Sequence, residues 1–188
     1  MQPLLKLRRL VEPPPPKQEK CELCGAPVPA AHGHVVDLEK HRLLCACRPC
    51  YLLFTHSGAA GGKLRSVAER VLKVPNIDIS RAAIPVGMVF FIRDSTADRV
   101  RAFYPSPAGA TEAEISIDAP ELALLEPDIE ALLVSKTASW IVPVDACYEL
   151  IGRIRRSWRG FQGGSAAWRE IEDFFANLKE TNHDRFVV

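Results

Sequence analysis

Two Cys-x-x-Cys pairs, Cys21–Cys24 and Cys47–Cys50, constrain this chain more than any other feature of its sequence. Each pair sets two thiols on one tight turn, and Gly25 behind the first allows the backbone to bend toward its sulfurs. Two such knuckles brought together make a tetrahedral four-cysteine site, the usual arrangement of structural zinc. The spacer of 22 residues between Cys24 and Cys47 is long for a zinc ribbon, and a hairpin would take up the excess. The stretch HVVDLEKHRLLC predicts that hairpin, with strands over His34–Leu38 and Arg42–Cys45 around a polar turn. Residues 20–56 therefore read as a metal-binding module, closed by the small-residue loop SGAAGGK.

Cys45 is one thiol more than a four-ligand site needs. Cys45 and Cys50 lack the two-residue loop of a knuckle, and Cys45 continues the apolar run Leu43–Leu44. It is expected as a buried thiol beside the site rather than a ligand. His32 and His34 lie within the same module, so a site of three cysteines and one histidine stays open. Lys20, Lys40 and Arg48 are close enough in sequence to offset the negative charge of a tetrathiolate centre. Four thiolates suit zinc and iron alike. Rubredoxins, which hold iron, carry Cys-Pro-x-Cys-Gly at their second knuckle, whereas this chain reads Cys47-Arg48-Pro49-Cys50-Tyr51. Zinc is the expected metal, with a rubredoxin-like iron electron-transfer centre as the alternative. The knuckles and the histidine pair also resemble treble-clef nucleases of the His-Asn-His type. Here a glycine separates the two histidines and no suitably placed asparagine follows, so no nuclease is expected.

Beyond the module the pattern is that of an α+β domain over residues 63–181. The run IPVGMVFFI (84–92) is apolar on both alternating faces, as a covered central strand requires, and RVRAFY (99–104) is its predicted hairpin partner. YPSPAGAT (104–111) reads as a loop stiffened by two prolines, and Ala119–Leu125 as a short helix entered at Asp118. IEALLV (129–134) and SWIV (139–142) are further strands. Two amphipathic helices follow. Cys147, Leu150, Ile151, Ile154 and Trp158 form one apolar stripe behind an Asp145 cap, and Trp168, Ile171, Phe174, Phe175 and Leu178 form another behind Ser165. The predicted architecture is a zinc-ribbon-like module on a small antiparallel sheet, covered by two C-terminal helices. Residues 1–19 read as an arm with a stiff Pro13–Pro16 spacer, and residues 182–188 as a tail.

Charge narrows the functional classes. With 24 basic and 23 acidic residues, the balance argues against a protein built to neutralise a long phosphate backbone. Arg153, Arg155, Arg156 and Arg159 do make one basic helix face, a candidate partner surface, which keeps a zinc-ribbon nucleic-acid binder as a further alternative. No apolar run reaches membrane-spanning length, and neither a secretory nor a twin-arginine signal follows Arg8–Arg9, so a reducing cytoplasm is expected. Ser106 lacks a nucleophile-elbow context, the glycines at 58, 61 and 62 lack a helix-opening phosphate loop, and Cys147 sits on an apolar stripe. No catalytic constellation emerges.

The blocks CELCG…HGHVVDLE…LLCACRPCYLLF, FYPSPAGATE, LEPDIEALLV and VPVDACYELIGRIRRSWRGFQGG occur in this order and resemble an uncharacterised bacterial family. Genes of that family lie near those of oxygen-tolerant uptake nickel–iron hydrogenases. The resemblance implies a non-enzymatic accessory protein that docks on a hydrogenase subunit or its maturation machinery.

Overall fold

The computed structural model describes residues 18–80, 84, 87–160 and 163–184, with side chains through residue 178. The expected Pro13–Pro16 arm and residues 185–188 lie outside the described residues. The α+β class, the antiparallel sheets and the two C-terminal helices are all present.

A small sheet forms first in the chain. Strands β1 (Gly33–Asp37) and β2 (Arg42–Ala46) pair antiparallel, with His34 opposite Cys45 and Val35 opposite Leu44. Helix α1 (Arg48–Leu53) follows directly, its start set by Pro49 in the first turn. Strand β3 (Leu64–Ser66) then pairs with the free edge of β1, giving the order β2–β1–β3. The small sheet thus reaches beyond residue 56, because β1 needs a second partner for its backbone groups.

The alternation along β1 and β2 gives the small sheet two different faces. Val35, Leu44 and Ala46 pack with Tyr51 of α1. Val36 and the partly buried Leu43 point the other way, against Ile129 and Val144 of the larger domain. Gly33 allows this packing, since a Cβ there would come within 2.6 Å of the Tyr51 ring. The Tyr51 hydroxyl donates to the Val67 carbonyl at 2.7 Å and ties α1 to the segment after β3.

The larger sheet holds six strands. They are β4 (Leu72–Val74), β5 (Met88–Asp94), β6 (Arg99–Ser106), β7 (Gly109–Ala113), β8 (Glu130–Ser135) and β9 (Ser139–Pro143), in the order β4–β9–β8–β5–β6–β7. Every pair is antiparallel. Successive residues of β5 and β8 enter two cores. Phe90 and Leu133 meet helices α2 (Val144–Ser157) and α3 (Gly164–Asp184), while Phe91 and Leu132 meet Ile79 and Leu125 from the loops beneath. Trp140, Leu150, Ile154 and Phe175 centre the helix-side core, and Cys147 belongs to it as a thiol that burial pushes well above its ordinary range.

Several sequence expectations change. Ser165 does not precede α3, which starts at Gly164, so Ser165 sits in its first turn. YPSPAGAT is no loop: it is the β6–β7 hairpin, with Pro105 opposite Ala110 and Ser106 opposite Gly109. Pro105 is tolerated because β5 pairs β6 only as far as Phe103, so the missing N–H leaves no ladder bond unmade on that side. The short helix is a single 3-10 segment, Pro120–Leu124, entered at Ala119 rather than Asp118. Asp145 does not cap α2: Pro143 holds the cap position, and the Asp145 carboxylate turns to His34 instead.

Candidate metal centre

The local folding of two turns builds the four-cysteine group. In the first, the Cys21 amide donates to the Ala26 carbonyl and the Gly25 amide to the Cys21 carbonyl, each at 2.8 Å, with Gly25 in the left-handed region at φ 77°. The second knuckle starts at the end of β2 and runs into α1, where the Tyr51 amide donates to the Cys47 carbonyl at 2.9 Å. The turns are locked together at the sheet edge. Glu22 donates its amide to the Cys45 carbonyl and accepts the Cys45 amide on its carboxylate, both at 2.8 Å.

The sulfurs of Cys21, Cys24, Cys47 and Cys50 consequently lie within 4.8 Å of one another, with Cys24 and Cys47 at 3.6 Å. A tetrahedron with metal–sulfur bonds of about 2.3 Å has edges of about 3.8 Å, so four cysteines stand close enough to hold one metal ion. The electrostatics fit a cation. Burial would raise the Cys21 thiol, but backbone N–H groups of Cys47, Cys24 and Leu23 outweigh it and hold the thiol down at about 6. Cys50 is pushed up to about 12, first by the Cys47 side chain and then by burial and the remaining sulfurs. A first thiolate therefore forms readily and opposes the next ones, a repulsion that a bound cation relieves.

Two of the expected charge-offsetting residues, Lys40 and Arg48, find other partners. Lys40 pairs with Asp37 at 3.5 Å. Arg48 pairs with Glu69 at 3.3 Å and lies over the Tyr51 ring. The backbone N–H groups, not these side chains, face the Cys21 sulfur.

Cys45 stands apart from that group, and it is half-buried rather than buried as expected. It lies with His32 and His34 in a second cluster whose ligand atoms are also within 4.8 Å of one another. The His34 Nδ1 is 2.9 Å from an Asp145 carboxylate oxygen at the start of α2, and this contact raises the histidine above its ordinary value against the opposing effect of burial. A cleft of about 620 Å³ opens beside the cluster, lined by His32, His34, Cys47, Arg48, Glu69 and Asp145 among others.

The expected basic face is smaller than predicted, because α2 ends at Ser157 and Arg159 lies beyond it. Arg153 pairs with Glu149, one turn away, and Arg159 donates to the carbonyls of Trp158 and Arg156. Arg155 and Arg156 are exposed.

Sequence reasoning missed the Asp145–His34 contact, the Glu22 bonds to Cys45, and Arg70. The Arg70 guanidinium grips Glu130 with two bonds, at 2.8 and 2.6 Å, and tethers the segment between the two sheets. A glutamate in the otherwise apolar stretch IEALLV was the available signal, because a carboxylate buried there requires a cation. No helix among the described residues is long and apolar enough to cross a membrane.

No curated protein and no solved structure matches the chain. A family model does match, over residues 20–182, and takes in both knuckles, the histidine pair and both sheets. The chain belongs to that family, described as a family of unknown function (DUF5947).

Proposed function

We propose that this chain is a non-enzymatic accessory protein stabilised by zinc at the four-cysteine centre, and that it works by binding another protein. The observation that carries the structural role is the closure of the site. All four positions of a tetrahedron are supplied by cysteines within 4.8 Å of one another, which leaves no coordination position for a substrate. Such a metal links the turn at Cys21–Cys24 to the end of β2 and the start of α1 and contributes folding free energy directly. Leu52 and Leu53 on α1, 51% and 66% exposed beside the second knuckle, support the protein-binding half of the reading. The partner, a nickel–iron hydrogenase subunit or its maturation machinery, rests on the sequence resemblance alone.

A rubredoxin-like iron centre is the second reading. Cys24 is exposed and Cys47 and Cys50 partly so, and an electron-transfer centre requires that kind of access.

Metal analysis of the full chain purified aerobically from its native host tests both. Zinc without iron, with one equivalent lost in Cys47→Ser, is the expected result. A red, iron-containing protein with a reversible redox wave replaces the first reading by the second. For the partner, a tagged chain should co-purify with hydrogenase subunits, and the double substitution Leu52→Asp/Leu53→Asp should abolish their recovery. Absence of every hydrogenase component from the wild-type eluate removes that half.

A further inference from the structure

Cys45, His32 and His34 have no place in the four-cysteine centre, yet the fold gathers them with care. His32 stands just before β1 and His34 within it, with one glycine between them, and their ring centroids lie 4.8 Å apart. The hairpin register sets Cys45 directly opposite His34. Both backbone groups of Cys45 are bonded to Glu22 on the outer edge, so His34 and Cys45 form the non-hydrogen-bonded kind of cross-strand pair, in which side chains approach most closely.

The protonation of each ring follows from its neighbour. The His32 Nδ1 lies 2.9 Å from the Pro29 carbonyl, which can only accept, so Nδ1 carries the proton and Nε2 keeps its lone pair. That side chain is only 6% exposed, and its Nε2 is buried with no hydrogen-bond partner among the described residues. A buried acceptor left without a partner is costly, and such an unexplained cost points to a ligand. The His34 Nδ1 donates to the Asp145 carboxylate at 2.9 Å, the arrangement that orients metal-binding histidines and makes Nε2 the better donor. Two free Nε2 atoms and one sulfur remain.

We propose that His32, His34 and Cys45 form a second metal site that takes one divalent cation of the zinc class and leaves its fourth position open to the adjoining cleft. Two imidazoles and a thiolate suit such borderline-soft cations and do not suit magnesium or calcium. Glu19, whose carboxylate lies 3.7 Å from the His32 ring, Glu22 and Asp145 make the surroundings favourable to positive charge. The two centres differ in kind. The four-cysteine group is closed, whereas three protein ligands beside a cleft of about 620 Å³ leave room for water or a small anionic ligand.

Titration of the metal-free full chain with Co²⁺ under reducing, oxygen-free conditions, with zinc content measured in parallel, tests the site. The wild type should bind two equivalents and the double substitution His32→Gln/Cys45→Ser only one, with the tetrathiolate spectrum of the remaining centre intact. Cys47→Ser should lose the other equivalent, so failure of this site and failure of the four-cysteine reading give different results. Asp145→Ala keeps all three ligands and should weaken the second equivalent by about 10–100-fold. Should the double variant lose both metals through misfolding, the Asp145→Ala affinity decides. A wild type that saturates at one equivalent lost in Cys47→Ser overturns the proposal, as does a second equivalent indifferent to all three substitutions.

Discussion

The six-stranded sheet covers both of its faces with side chains from its own domain. One core is built with α2 and α3, and the other with the loops that carry Ile79 and Leu125. The three-stranded sheet buries only Val35, Leu44, Ala46 and Tyr51 on one face, and on the other it leans Val36 against Ile129 and Val144 of its neighbour. The first region is held by area removed from water. The second is too small for that and relies on cross-links: four cysteines placed to hold a metal between two knuckles, Glu22 on the sheet edge, and the Asp145–His34 contact. One chain therefore contains two solutions to stability, and they should fail under different insults.

Metal removal should separate them most sharply. Zinc binding in comparable small modules is worth about 10–16 kcal/mol, so chelation should release amide protection throughout residues 20–53 while β5, β8 and β9 retain theirs. Hydrogen exchange read by mass spectrometry gives the answer segment by segment, and an equal loss in both regions would erase the distinction.

Trp140→Ala attacks the other region. Trp140 is 1% exposed in the helix-side core, and truncation there costs about 3–5 kcal/mol, lessened because its indole N–H has no partner among the described residues to lose. Denaturant melting should show a fall of about 2–4 kcal/mol while the folded variant keeps its full metal content. A variant that melts like the wild type, or one that sheds its metal, would show that the two regions are not independent.

The smallest effect tests a turn of the larger sheet. Asp94 accepts the amides of Thr96 and Ala97, each at 2.9 Å. Burial would raise its carboxyl, but those two amides, with His41 and Arg101, outweigh it and hold the group below its ordinary range. A depressed folded-state value means that this stabilisation is complete above the unfolded value of about 4 and is lost as pH falls through the folded one. Asp94→Ala should cost about 1 kcal/mol near neutrality, and its melting curve should converge with the wild type's in acid. A gap that stays constant from pH 7 to pH 2 would show that Asp94 acts through packing alone.

What could be read from the sequence was local. The knuckles need only their own spacing, the helices only their apolar stripes, and the central strand only a run apolar on both faces. The β6–β7 hairpin was missed because Pro105 and Pro107 suggested a loop, and only the sheet shows that Pro105 lies past the last β5 pair. The His32–His34–Cys45 grouping was half visible. One glycine separates the two histidines, but which residue stands opposite His34 depends on a hairpin register, and a slip of one residue would turn Cys45 to the other side. The Asp145–His34 contact joins residues 111 apart, and no local pattern encodes it.

The strand order carries a consequence for how the molecule is made. Every strand of the small sheet comes from residues 33–66, one unbroken stretch. The edge strand β4, by contrast, must wait for β9, with Leu72 pairing Ile141. During synthesis from the N-terminus, both knuckles leave the ribosome well before the larger sheet can close. A metal held by the four cysteines would thus be acquired early, and the rest of the protein would then assemble against a part already finished.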